Sequence, residues 1–145
     1  MGAAAKAGRT DDLRHLDDSR RPRSALRGLA RTVTLLAPAK VVAALDIGWV
    51  GAATEARIVD LAGLTDPTIA TLPGGHTSKA VDVAMLLERG VDTVIVYGHP
   101  RVVEQRLLRS PLFEEKFELA STVPLGRRAA PNGAFQQHYD VYRRK

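Results

Sequence analysis

Between Val41 and Asp66 the chain reads VVAALDIGWVGAATEARIVDLAGLTD, two short apolar runs that each close on an acid and a glycine. Asp46-Ile47-Gly48 follows the first run, and Asp60-Leu61-Ala62-Gly63 follows the second. Val41 to Leu45 is continuous and β-branched at its start, the pattern of a strand buried on both faces. A strand that ends in an acid and then glycines turns sharply, and in an α/β sheet such ends are where ligands meet the fold. This stretch therefore constrains the architecture first and suggests a site second. It specifies no reaction.

The rest of the chain extends the same alternation. Arg57 to Leu61 reads as the second strand, and Asp66 before Pro67 as a helix start, with a side-chain cap followed by proline in the first turn. Pro73 to His76 is a loop. Val81 to Arg89 has helical spacing, and Gly90 stands where a helix stops. Val91 to Tyr97 is a third strand, a helix follows Pro100 as far as Pro111, and Phe113 to Phe117 adds a further turn. Glu118 to Leu125 is a fourth strand candidate, Gly126 to Gly133 a basic loop, and Phe135 to Tyr142 a closing edge strand. The β-α-β order predicts an α/β fold: a small, mostly parallel sheet of about four to five strands with flanking helices. This α/β domain spans residues 41–145.

Ahead of it, residues 1–20 are small, polar and aperiodic, the composition of a disordered lead. Residues 21–40 predict a basic amphipathic helix, with Leu26, Leu29, Val33 and Leu36 on one face and Arg20, Arg23, Arg27 and Arg31 close together on another. The net charge of +5 sits in this segment. Residues 1–40 hold nine Lys and Arg against four Asp, whereas the remainder is neutral. Arginines at helical spacing can grip phosphates of lipid or nucleic acid. No aromatic side chains are interleaved with them, so nucleic acid is not the expected partner and a solvated face is the simpler reading. The chain has no cysteine, which excludes disulfides and thiolate chemistry. No transmembrane span or secretory leader is expected: the most apolar stretch is broken by Pro38, Lys40 and Asp46, well short of the roughly 20 apolar residues a span needs.

Several residues carry possible chemistry. Asp46-Ile47-Gly48-Trp49-Val50-Gly51 has the strand, acid and glycine order of a nucleotide or S-adenosylmethionine loop, but its spacing is G-x-x-G rather than G-x-G-x-x-G. The plainer reading is a tight turn in which Asp46 caps a helix. Asp46, Asp60 and Asp66 fall on one sheet edge if the strands are parallel, where paired carboxylates can do acid/base work or simply form turns. His76 sits in a glycine loop and His99 follows a strand; no histidine pair has metal-ligand spacing, and no metal is expected. No G-x-S-x-G elbow is present.

Residues 41–145 resemble the soluble C-terminal domain of bacterial integral-membrane glycosyltransferases that use polyprenyl-phosphate sugars, akin to protein mannosyltransferases. The resemblance rests on Asp46-Ile47-Gly48, on Val59-Asp60-Leu61-Ala62-Gly63-Leu64-Thr65-Asp66, on Val91-Asp92-Thr93-Val94 and on the tail Tyr139-Asp140-Val141-Tyr142-Arg143. It implies a non-catalytic accessory domain that binds a glycan or a partner such as a membrane glycosyltransferase subunit, needs no cofactor, and lies outside the cytoplasmic membrane. As written, without a leader, the chain reads as cytoplasmic. The family's catalytic aspartates lie on loops between membrane helices that are not in this sequence, so no catalytic residue carries over and the chain is not expected to be an enzyme on its own. The binding residues expected are Asp46, Gly48, Asp60, Asp66 and His76. Two alternatives stand beside this: a small nucleotide- or S-adenosylmethionine-binding enzyme built on the Asp46–Gly51 turn, and an anionic-surface binder working through the N-terminal arginines.

Overall fold

A computed structural model describes residues 33–128, 131, 133 and 135–145. The expected lead and most of the basic helix, with Arg20, Arg23, Arg27 and Arg31, lie outside the described residues. In chain order the elements are α1 (residues 33–36), β1 (Val41–Ala44), α2 (Ile47–Ala53), β2 (Arg57–Asp60), α3 (Pro67–Ala70), α4 (Val83–Glu88), β3 (Thr93–Tyr97), α5 (Val102–Arg109), α6 (Pro111–Lys116), β4 (Phe117–Arg128) and β5 (Phe135–Arg144). They form an α/β fold around one five-stranded sheet in the order β2-β1-β3-β5-β4.

The sheet is mixed, which corrects the expectation of a mostly parallel one. β1 pairs in parallel with β2 and β3, but β5 runs antiparallel to both β3 and β4, and these antiparallel ladders are the longer. The connection between β4 and β5 is too short to carry a crossover, so the two strands must form a hairpin. Nor is the last strand at the edge. β5 lies between β3 and β4 and pairs with both, and it buries Val141 completely and Tyr139 almost so. β4 takes the edge instead. It carries Pro124, which has no N–H to donate, and two irregularities in register, at Leu119/Ser121 and Pro124/Gly126. Both features suit an edge strand, where a missing donor can face water and a bulge discourages further pairing.

Side chains of β1 and β3 alternate between two apolar layers, as a period of two requires. Val42, Ala44 and Ile95 pack with Leu36 of α1 and Val50 and Ala53 of α2. Ala43, Val94 and Val96 pack on the opposite face with Leu86 of α4, Val103 and Leu107 of α5 and Phe113 of α6. The helix joining β1 to β2 therefore lies on one face, and the helices joining β2 to β3 lie on the other. The first connection steps outward from β1 on one side, and the second returns past β1 to its other side. Direction and face reverse together, so the two crossovers share one hand, as parallel connections do. The C-terminal ends of β1 and β3 are thus a topological switch point, where the chain leaves adjacent strands toward opposite faces. A crevice for ligands opens at such a point in α/β sheets.

Candidate functional site

Asp46 stands at the end of β1, directly on the switch point. It is the residue before α2, yet its side chain makes no capping bond to that helix. It turns instead toward Arg101, which follows β3. The guanidinium donates from Nη1 to Asp46 Oδ1 at 3.0 Å and from Nη2 to Oδ2 at 2.9 Å, a two-pronged ion pair. Tyr139, from the central part of β5, donates its hydroxyl to Asp46 Oδ2 at 2.5 Å. One carboxylate thereby ties the ends of β1 and β3 to the middle of β5, three consecutive strands of the sheet.

Arg101 is itself held from behind. Its Nε donates to Glu104, whose side chain is fully buried in the first turn of α5. Glu104 also accepts the backbone N–H of Arg101 at 3.0 Å and that of Tyr97 at 2.8 Å. A buried carboxylate is costly unless its oxygens are filled by donors, and three donors converge here. The ring of Tyr97 lies under the guanidinium, with Arg101 Cζ 5.3 Å from its centroid. Arg101 is thus oriented by an acid, a ring and a backbone turn before it meets Asp46.

Aromatic side chains surround this pair. Trp49 of α2 packs against Tyr139 with centroids 4.7 Å apart, Tyr139 against Tyr97 at 5.4 Å, and Tyr97 against His99 at 5.7 Å. Tilted rings at these spacings attract one another beyond simple burial. Gln137 donates to the Tyr97 hydroxyl at 2.9 Å. Gly98 lies under the His138 ring: a Cβ there would fall 2.3 Å from His138 Cε1, so only glycine lets that ring close over the end of β3. The β4–β5 pairing runs on beyond the last β3–β5 pair, Tyr97 with Tyr139. The indole Nε1–H of Trp49 is buried and faces the Tyr139 hydroxyl.

Partial burial works to raise the Asp46 carboxyl, but the bonds from Arg101 and Tyr139, the Arg101 charge and the nearby His76 outweigh it. Asp46 is held below its ordinary value of 3.8. Burial pushes the Tyr139 phenol well up, and its bond to the Asp46 carboxylate adds to this. Burial opposes the charge on Arg101, yet its bonds to Glu104 and Asp46 more than compensate and strengthen it.

The other expected residues divide. Asp60 and Asp66 share this edge of the sheet, but their oxygens serve the backbone. Asp60, fully buried, accepts from Ala62 N at 2.9 Å and Thr65 N at 3.1 Å and so shapes the turn after β2. Asp66 caps α3 through Thr68 N and Ile69 N and pairs with Arg89. Burial works to raise the Asp66 carboxyl, but the Ile69 N–H and Arg89 bonds overcome it and hold it low. His76 is exposed in a loop that is fastened to α5, through Val103 N to Thr77 O at 3.0 Å and Arg106 Nη1 to Ser78 O at 2.9 Å. Gly48 lies in the first turn of α2 with open space where a Cβ would stand, so close packing does not demand glycine there. Sequence reading missed Arg101, Glu104, Tyr97 and Tyr139. The i,i+3 spacing of Arg101 and Glu104 at a helix start was a usable signal; nothing in the sequence linked Tyr139 to Asp46, 93 positions away.

Among the described residues, no three His, Asp or Glu side chains converge in a way that could hold a metal ion, and no helix is long and apolar enough to cross a membrane. A family model described as Domain of unknown function (DUF8728) matches residues 17–142, most of the chain. No curated protein and no solved structure matches.

Proposed function

We propose that this chain, which belongs to the family of the domain of unknown function DUF8728, is a non-catalytic binding domain whose working surface is the switch-point edge around Asp46. Its ligand is a glycan, and its place is that of an accessory domain to a membrane glycosyltransferase acting with lipid-linked sugars. The observation that carries this reading is the fixed Asp46–Arg101 pair set among the rings of Trp49, Tyr97 and Tyr139. Sugars are recognised by aromatic faces that cover their C–H groups and by planar polar groups that meet their hydroxyls, and the half-buried rings of Trp49 and Tyr97 stand beside the Asp46–Arg101 pair on one edge.

The carboxylates support binding over acid/base catalysis. A general acid or base works best with a pKa near the operating pH. Asp46 is displaced the other way, below its ordinary value, with both oxygens engaged. Asp60 is spent on backbone donors, and Asp66 on backbone donors and Arg89. Nothing in the geometry favours the nucleotide reading: Asp46 turns away from the glycine turn, and α2 is only seven residues long.

Trp49 is the chain's only tryptophan, so its fluorescence reports on this edge alone. Titration with a panel of oligosaccharides should give a saturable change in Trp49 emission, lost in Arg101→Ala under conditions where that variant remains folded. A flat response across the panel, with sugar in the millimolar range typical of weak lectin-like sites, would remove the glycan reading.

A further inference from the structure

We infer that this edge selects uncharged sugars, reading a pair of neighbouring hydroxyls with Asp46 and Arg101 and rejecting sugars that carry a phosphate or carboxylate. The inference rests on the glycan reading above and narrows it to a ligand class.

The argument is an account of donors, acceptors and charge. A guanidinium has five N–H groups. Arg101 uses Nε on Glu104 and one N–H from each of Nη1 and Nη2 on Asp46, which leaves two N–H groups uncommitted among the described residues. Among the described residues Asp46 Oδ2 accepts two bonds, whereas Oδ1 accepts one and keeps a lone pair. The two side chains remain reachable, with 32% of Asp46 and 27% of Arg101 exposed. The open valences are therefore of both kinds, donors on Arg101 beside an acceptor on Asp46. A sugar hydroxyl both donates and accepts, so two adjacent hydroxyls can satisfy this pair at once. A phosphate or carboxylate only accepts: it would use the Arg101 donors and confront the Asp46 oxygen with another negative oxygen.

The charge balance points the same way. One guanidinium stands against the Asp46 and Glu104 carboxylates, so the cluster carries a net negative charge. The one guanidinium within this cluster is already neutralised before any ligand arrives. A site built for an anionic group keeps its arginine free for two-pronged contact with the ligand, and here that contact is given to Asp46.

The test compares matched ligands on the intact chain: one neutral oligosaccharide and the same oligosaccharide bearing a phosphate or a uronic-acid carboxylate on its terminal ring, followed by Trp49 fluorescence and calorimetry at about pH 8, above the ordinary histidine range. One unit of like charge roughly 6 Å away at a partly exposed site is worth on the order of tenfold in affinity. The neutral ligand should therefore bind about tenfold tighter, with little dependence on salt, while the anionic ligand should gain affinity as salt screens the repulsion. Anionic binding that is tighter than neutral and weakens with salt would overturn the selectivity while leaving the glycan reading intact. Failure of both ligands would remove the glycan reading, and the selectivity with it. Asp46→Asn adds a second arm: it removes the negative charge, so the neutral-to-anionic ratio should fall toward one. An unchanged ratio in a variant shown by circular dichroism to be folded would also refute the inference. The salt arm needs no variant and holds should Asp46→Asn not fold.

Discussion

Replacing Asp46 with alanine tests whether one carboxylate fastens the hairpin to the parallel half of the sheet. Asp46 accepts two bonds from Arg101 and one from Tyr139. Hydrogen bonds to charged groups contribute about 1.5–3 kcal/mol each when well buried. Three at full value would overstate the loss, because about a third of each partner of the ion pair is exposed and water can replace part of it. Arg101 also keeps Glu104 and the Tyr97 ring, so it is not left as a bare buried charge. The expected loss is about 2–3 kcal/mol, or roughly 8–12 °C in melting temperature for a domain of this size. Tyr139→Phe removes one bond only and should cost about 1 kcal/mol. The pH dependence has a definite sign. The folded carboxyl lies below its ordinary value, so its contribution is present above the unfolded pKa and is lost as pH falls through the lowered folded value. The gap between wild type and Asp46→Ala should therefore be constant near neutrality and close below about pH 4. Urea denaturation followed by circular dichroism across that range measures both quantities. A loss under about 0.5 kcal/mol at neutral pH, or a gap that widens with acid, would refute the reasoning.

Three further outcomes follow from the geometry. Glu104→Gln leaves an amide facing the donors from Arg101 and Tyr97 in a fully buried position, and should cost about 3 kcal/mol in chemical denaturation and reduce Arg101-dependent ligand binding. Gly63→Ala should cost at least about 2 kcal/mol and Gly90→Ala only about 1 kcal/mol: both have positive φ, but only at Gly63 does the new Cβ fall 2.6 Å from backbone, at Ala70 N. Equal losses in the two melting curves would count against the packing argument. Trp49→Phe shrinks the ring packed on Tyr139 and removes the indole N–H facing its hydroxyl, and should cost about 1–2 kcal/mol in thermal melting; an unchanged melting temperature would mean that the Trp49–Tyr139 packing contributes little.

The strands were legible wherever their apolar runs were continuous. Val41 to Leu45 and Val91 to Tyr97 announce β1 and β3 because burial on both faces leaves no room for alternation. Asp66-Pro67 announces α3 because a cap followed by proline is local chemistry. Sheet order was not legible past β3. The loose alternation of Phe135 to Tyr142 reads as a half-exposed edge, but the strand lies inside, with its polar residues Gln137 and Asp140 answered by Tyr97 and Thr122 of the two neighbouring strands. A hydrogen-bonded polar side chain imitates a solvent-facing one in sequence, and only the pairing separates them.

The same principle explains why the edge was half visible. Asp46 could be picked out because strand, acid and glycine stand together in the sequence. Its role could not, since the expected cap and the actual ion pair use the same carboxylate, and the choice belongs to Arg101. That residue arrives from the end of β3, preset by Glu104 one helical turn further on. Once a guanidinium with two free prongs stands beside β1, a two-pronged pair outweighs a cap bond to a neighbouring N–H. Glycine and acid at the end of β1 are thus necessary for the site but do not define it. The defining residue is the arginine after β3, and the direct test is to leave Asp46 untouched and change only its orienting partner. In Glu104→Ala the Asp46–Arg101 pair should loosen although neither member is altered. Ligand affinity should then fall while the far-ultraviolet spectrum of the folded protein stays the same, and unchanged affinity would return the leading role to Asp46 alone.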